Sequence, residues 1–560
     1  MTSQSLLFGF GILIAAQVAQ AQPVPQSPPT IGSPNTVTAD PPVARPRTTP
    51  CRTRLFTDVR FADFSPKSFA YAPPSACPGP WQNVVLEADW SVEPGRQFDR
   101  TANLWIGGVN VYFGTTAEPT RPPNAIGRSW HVERDITDYT AALLAPAAGR
   151  ADLGNLINDT YTSALWGTAQ IAFYPFNGKG NDDRRSQAPD LVLPLSSSAT
   201  GGTVALFSPS DALAATFHLP TNVERAFLDV ILEHQGANDE FWYTCVPSAL
   251  SAALESCSGG AFREGQVSID GQPAGVVPIF PWIFTGGIDP YLWRPIPAVQ
   301  ALNFVPYRVD LTPFAGVLSD GQPHTLAIRV ANNSQYFSTT ATLLVFLDHG
   351  SKRVTGQVTT NTIGAPIPSI TTQGINPQAD PVTGTVTTIS SRSFVLAGWV
   401  RTSRGKVQTE IRQTIDFSNV QDFVVPSGAS TFSQKIAQLT SISSVTKVRL
   451  GDRSRETVVR MAWPLKVEIV SPDNFNSGWT TNIHQSYDRA DTVSHDGDVE
   501  FGSVVSNSGD WADDYPTTTI QSGAQRYFSA DSEGHCYSRS ITAAGGVLTS
   551  IKDGKGCDDD

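Results

Sequence analysis

The sequence predicts an all-β protein, and three observations carry that prediction. Chain breakers abound, with 45 Gly and 42 Pro, while Met occurs twice and charged residues make up 16%; frequent turns with few strong helix formers favour short strands. Segments 84–92, 225–234, 266–280, 305–314, 324–330 and 341–348 carry period-2 alternation or buried β-branched runs. Two hairpin signals stand between such segments, at Gly107-Gly108 and at Asp270-Gly271. Only 138–148 and 248–255 read as helical, and both are short. This is the pattern of antiparallel β-sandwiches or jelly rolls. At 560 residues the chain exceeds what one core sustains, so two or three domains are expected.

In chain order, residues 1–21 read as a signal peptide: an apolar run over 6–16 is followed by Ala19-Gln20-Ala21, a small-x-small cleavage pattern. No other segment is long and apolar enough to span a bilayer. The implied destination is secreted or periplasmic, with no membrane insertion after signal removal. Residues 22–50, rich in Pro, Ser and Thr and without an aromatic, read as a flexible linker. A β domain follows over 51–188, ending in the polar stretch 177–188, then a second over 189–350. Residues 351–560, where Thr and Ser rise, read as a C-terminal β-sandwich-like domain. The six cysteines fall into sequence-local pairs, Cys51 with Cys77, Cys245 with Cys257 and Cys536 with Cys557. In an exported chain these read as disulfides.

The net charge of −12 argues against a nucleic-acid partner, since phosphate binding needs clustered Lys and Arg. No serine-hydrolase elbow, zinc-protease motif, phosphate loop or dinucleotide fingerprint occurs. Neither a metal nor an organic cofactor is expected. What remains is carboxylates beside aromatics, in three clusters: Arg96-Gln97-Phe98-Asp99-Arg100 with Glu118; Asp152-Leu153-Gly154-Asn155 with Asp159; and Asn238-Asp239-Glu240-Phe241-Trp242-Tyr243 with Arg263-Glu264. Partial desolvation lifts a carboxylate pKa into the range useful for acid–base work. Tryptophans offer flat faces to sugar rings, although core packing is the commoner fate of any one of them.

These same segments resemble the peptide N-glycosidase A family. The resemblance runs through Phe98-Asp99-Arg100, Trp105-Ile106-Gly107-Gly108, Thr116-Ala117-Glu118-Pro119-Thr120, Asp152-Leu153-Gly154-Asn155-Leu156, Asn238-Asp239-Glu240-Phe241-Trp242-Tyr243 and the run from Phe284 through Gly286-Gly287-Ile288-Asp289 to Trp293-Arg294-Pro295. It covers roughly 51–350 and implies hydrolysis of the β-aspartyl-glucosaminyl amide, with N-glycoproteins and glycopeptides as substrates. Tolerance of α1,3-linked core fucose is implied with it. A remoter likeness, of Asp99-Arg100-Thr101-Ala102-Asn103 to the peptide N-glycosidase F type of two-jelly-roll amidase, implies two jelly rolls side by side with Asp99 as principal catalytic acid.

On that resemblance Glu240 is the second carboxylate, with Asp239 and Glu264 as alternatives. Arg100 and Arg263 are candidates for oxyanion or sugar binding. Trp105, Trp242 and Trp293 are candidates for sugar stacking, and Glu118 and Asp159 complete the set. A monomer is expected. The competing reading is a non-catalytic secreted glycan-binding β-sandwich protein, in which the same aromatics stack sugars and the carboxylates only bind them.

Overall fold

The computed structural model describes residues 22–554 apart from 27, 121–122, 177–187, 197 and 237. The signal-peptide reading, most of the polar boundary stretch and Cys557, hence the third disulfide, lie outside the described residues.

Eight strands build the first unit: β1 Cys51–Phe61, β2 Lys67–Tyr71, β3 Asn83–Val92, β4 Thr101–Ile106, β5 Val109–Thr115, β6 Arg128–Asp135, β7 Ala147–Asp152 and β8 Leu165–Tyr174. They form two facing sheets of order β1-β8-β3-β6 and β2-β7-β4-β5. The second unit holds β9 Leu191–Pro194, β10 Val204–Leu206, β11 Leu213–His218, β12 Val223–Gln235, β13 Glu264–Ile269, β14 Gln272–Pro278, β15 Tyr307–Asp310, β16 Pro323–Ala331 and β17 Tyr336–Leu347. Its sheets run β10-β17-β12-β15 and β11-β16-β13-β14, with β9 also on β17. Counting β10 as the equivalent of β1, the two orders are identical. Both are jelly rolls, two Greek keys wound into a sandwich. Their tight turns follow the sequence: Gly107 and Gly108 (φ +56° and +84°) close β4–β5, and Asp270 and Gly271 (φ +50° and +78°) close β13–β14. Disulfides join Cys51 to Cys77 and Cys245 to Cys257. Of the two expected helices, one is a 3₁₀ turn over Thr137–Leu143 and the other a series of turns.

The C-terminal third departs from the expected sandwich. From β18 (Thr355–Asn361) and β19 (Ser369–Gln373) it runs as a meander through β20 Val382–Thr402, β21 Gly405–Val425, β22 Phe432–Leu450, β23 Arg453–Ser471, β24 Trp479–His495, β25 Asp498–Tyr515, β26 Ser522–Asp531, β27 Cys536–Ala544 and β28 Val547–Asp553. All belong to one eleven-stranded sheet. Instead of a second layer of its own, its apolar face covers the jelly rolls: Phe417, Trp463, Leu465 and Trp511 share one core with Trp242, Phe280, Trp293 and Phe304. Antiparallel sheets tolerate solvent on the other face.

Residues 22–50 correct the linker expectation. They form an ordered strap. Thr36 donates to the Ser129 carbonyl at 3.0 Å, along the β6 edge, and Val37 to that of Pro295 at 3.0 Å. Ala39 N–H reaches Gln525 Oε1 on β26 at 2.8 Å, and Val37 and Ala39 are buried in the shared core. Extended Pro-rich chain needs no internal hydrogen bonds, so its backbone is free to pair with others and cover a sheet edge.

Candidate active site

Asp99 lies in the irregular segment that enters β4, anchored from all sides. Gln97, buried beneath it, donates to the carbonyls of Leu156 and Ser163, both at 3.0 Å. Arg100 folds back on this segment: Nη2 donates to Gln97 Oε1 at 2.8 Å, Nη1 to the Asp99 carbonyl at 3.1 Å. The Asp99 N–H donates to Glu118 Oε1 at 3.2 Å. Glu118 is itself buried and ion-paired through Oε2 to Arg294 at 3.2 Å. The backbone of Asp99 is thereby fixed, and its carboxyl group faces the second jelly roll.

The second jelly roll supplies the opposite wall. Gly286, in the loop after β14, donates its N–H to the Asp99 carboxyl group. A β-carbon at this position would stand 2.2 Å from Asp99 Oδ1 and 2.8 Å from Glu118 Oε1, so only glycine allows this approach. Thr285 ties the loop across by donating to the Thr116 carbonyl. Glu233 and His234 end β12, and the turn beyond it brings Glu240 back, its N–H on the Gly236 carbonyl at 2.7 Å.

These carboxyl groups feel one another. Burial raises Asp99 above the ordinary carboxylate range, while the Gly286 N–H and the Arg100 guanidinium pull it back. Glu240 is pushed up to about 7, by burial first and then by the charge of Asp99. Glu233, fully buried with a Gln235 amide donating to it, is raised well above its usual value by burial, with both Glu240 and Asp99 adding to the shift. Carboxyl groups that raise one another in this way resist ionising together. The cluster therefore gathers, at one junction, carboxyl groups that hold their protons more tightly than ordinary carboxylates do. His234, stacked on Phe284 at 5.0 Å and Trp282 at 6.1 Å, is driven down to about 3 by burial and stays neutral.

The other expected residues fall elsewhere. Asp239 and Arg263 are fully buried and hold each other, Nε to Oδ1 at 2.7 Å. Asp239 also accepts the N–H groups of Ser334 at 2.9 Å and Gln335 at 2.6 Å. This pair builds the loop that carries Glu240 and presents nothing to a substrate. Glu264 is likewise buried, paired with Arg392 of β20 at 2.5 Å, an ion pair between the second jelly roll and the C-terminal sheet. Trp105, Trp242 and Trp293 are each at most 2% exposed. Trp105 packs on Gly201, Trp242 on Phe417, and Trp293 on Trp511 while donating to the Gly287 carbonyl at 2.9 Å. All three are packing residues, and none offers a face to a sugar. Asp159 sits exposed in a turn whose neighbour Tyr161 packs on Phe98 at 5.2 Å, beside the Asp99 segment. Glu118 and Arg100 support Asp99 rather than reach past it. Glu233, Gly286 and Arg294 were missed; the one available cue was an acid-histidine pair ending an apolar strand.

The C-terminal sheet holds both loops from behind through buried amides. Asn419 and Gln421 donate to the carbonyls of Tyr243 (2.8 Å) and Cys245 (3.0 Å), just beyond Glu240. Gln485 binds Pro281 O at 2.8 Å and the Val299 N–H at 3.0 Å; Gln521 binds Arg294 O at 2.7 Å. A cavity of about 930 Å³ opens between this sheet and the second jelly roll, but none of Asp99, Glu233 or Glu240 lines it. Convergent acid groups, not volume, mark the site.

The sequence model described as peptide N-acetyl-beta-D-glucosaminyl asparaginase amidase A matches residues 41–364. The chain belongs to this family. The peptide-N4-(N-acetyl-beta-glucosaminyl)asparagine amidase A of Prunus dulcis is 34% identical over 418 residues, spanning 71% of this chain and 70% of that protein. Among solved structures, PNGase F, a glycosylasparaginase from Flavobacterium meningosepticum, overlays 53% of this chain and 96% of its own at 12% identity and TM-score 0.35. PNGF-II overlays 53% and 65% at 13% identity and TM-score 0.35. Asp99, Glu233, Glu240, Gly286 and Arg294 all fall inside the part matched by the amidase A family.

Proposed function

We propose that this chain is an exported amidase that hydrolyses the β-aspartyl-glucosaminyl amide of N-glycoproteins and glycopeptides, including those with α1,3-linked core fucose. Family membership supports the bond cleaved. The observation that carries the reading is the meeting of Asp99 with Glu240 and Glu233 across the junction of two jelly rolls, where the three resist ionising together. Export is supported by the apolar run and Ala19-Gln20-Ala21, and by disulfides at Cys51 and Cys245.

In the reaction, Asp99 in its ionised form takes a proton from water as the oxygen adds to the asparagine side-chain carbonyl. Glu240, protonated at mildly acidic pH, donates to the amide nitrogen as the C–N bond breaks. The peptide keeps an aspartate, and the released glycosylamine decays to ammonia and the free glycan. Gly286 keeps the Asp99 carboxyl group in place, and neutral Glu233 and His234 back the site without adding charge.

Mass spectrometry of glycopeptides, with and without core fucose, incubated in heavy-oxygen water tests this. The expected product has lost its whole glycan and carries Asp in place of Asn with one heavy oxygen. A peptide retaining one N-acetylglucosamine, or binding without turnover, overturns the reading.

A further inference from the structure

The loop that presents Gly286 to Asp99 is joined to the C-terminal sheet by two carboxyl groups. Asp289, three residues after Gly286, donates its N–H to the Gly287 carbonyl at 2.7 Å. Its Oδ1 accepts the Tyr291 N–H at 2.9 Å. Between Gly287 and Asp289, Ile288 is held at φ +63°, a conformation a β-branched residue adopts only when its surroundings impose it. Asp513, on β25 between Trp511, which packs on Trp293, and Tyr515, which packs on Tyr291, faces Asp289 from the sheet, and both side chains are sealed from solvent. Among the described residues no side chain donates to Asp289 Oδ2 or to either Asp513 oxygen, and the Asp514 N–H is the backbone group turned toward Asp513. Two buried carboxyl groups that face each other and are this short of donors are relieved most directly by a proton held between them.

We propose that Asp513 is a positioning residue for Asp99: a proton shared with Asp289 fixes the 284–293 loop, and with it the Gly286 N–H, against the catalytic carboxyl group. This rests on the amidase reading for its effect on rate, though not for its effect on the loop. The groups facing the pair make the proton the decisive partner. Arg294 contributes attraction to Asp289 but is committed to Glu118 and to the Pro119 carbonyl, with the buried Arg128 close enough to feel its charge. Asp514, next to Asp513, faces Thr517, Thr519 and the Ile520 N–H, and adds repulsion. Tyr291 and Tyr515 close the rim, ring to ring at 5.8 Å, and Thr481 stands opposite on β24. Burial and the charge of Asp289 push Asp513 up to about 7. Above that pH the pair carries two negative charges, and the loop loses its tie to the sheet.

The test uses the full chain with Asp513→Ala and Asp513→Asn, following glycopeptide turnover against pH and hydrogen exchange of the 284–293 segment. An asparagine amide donates to Asp289 without needing a shared proton. Expected for Asp513→Ala is a fall in kcat of about tenfold to hundredfold, as for a displaced catalytic group, with KM changed by less than about twofold. Asp513→Asn restores kcat and moves the alkaline limb of the profile to higher pH. Exchange of 284–293, corrected for intrinsic rate, rises above pH 7 in the wild type and stays low in Asp513→Asn. If Asp513→Asn is as impaired as Asp513→Ala, or exchange of the segment ignores pH in all three proteins, the proposal is wrong. Should the wild type turn over no glycopeptide, the amidase reading fails while the exchange data still decide whether Asp513 fixes the loop.

Discussion

Asp239 and Glu240 are neighbours in sequence and opposites in circumstance. Asp239 has a buried arginine and two backbone N–H groups, so its charge is fully answered. Among the described residues Glu240 has no such partner, and it feels another acid, Asp99, across the junction. The difference teaches how to separate a structural carboxylate from a chemical one: the first is saturated by donors, and the second is left short of them so that its proton stays negotiable.

The largest effect should come from the unsaturated side. Asp99→Asn is expected to cost about a thousandfold in turnover, within the range for a lost acid–base group, while glycopeptide affinity persists; single-turnover kinetics with calorimetry would show it. Next comes the saturated side. Asp239→Asn leaves Arg263 buried and unanswered, and a loss of about 3–5 kcal/mol in denaturant melts is expected. Glu240→Gln, the same change one residue on, should leave the melt nearly untouched, and equal losses in the two variants would erase the contrast. Gly286→Ala forces a methyl group against Asp99, and a fall in kcat of about tenfold to hundredfold is expected with thermal stability retained. Glu240→Gln, which removes the acid that protonates the leaving nitrogen, should itself cost about a hundredfold in kcat. Glu240 keeps its proton while Asp99 ionises, so the acidic limb of the pH–rate profile should stay in place and the alkaline limb set by Glu240 should be lost.

The smallest effect is on stability against pH. Glu240, Glu264 and Asp513 are each held at about 7 in the folded state, above the ordinary carboxylate value, because burial disfavours their charge. Between about pH 4 and 7 the folded protein holds protons the unfolded chain has released, so stability falls as pH rises. His131, raised to about 9 by Asp89 and Glu133 in spite of burial, acts in the same direction up to that pH. Scanning calorimetry should give a higher Tm at pH 5 than at pH 8, and the reverse order would mean these groups are solvated.

The strands were legible because period-2 alternation and paired turn glycines are local signals, and Asp99 was legible because its neighbours form a motif. Gly286 and Arg294 also lie in a motif run, but their roles beside Asp99 and Glu118 were not legible from it. A backbone N–H donated to a carboxylate leaves no trace in side-chain pattern, and Arg294 meets Glu118 from 176 residues away. The tryptophans misled for a related reason: an aromatic in a β-strand looks the same whether it faces a sugar or a second layer. Alternation in the last third announced one buried face without saying that the jelly rolls would cover it.

The strap carries a consequence for the order of assembly. Gly32 donates to the Leu548 carbonyl at 2.7 Å and Leu548 to that of Ser33 at 3.1 Å, so part of the strap's docking surface is β28, the last strand described. A chain made from its N-terminus has no such surface to offer until that strand exists. The jelly rolls can close early on their own contacts, while the first residues wait for the last to arrive. Closing a loop of this length costs only a few kcal/mol of entropy, but the event is necessarily late, a latch drawn over a molecule otherwise complete.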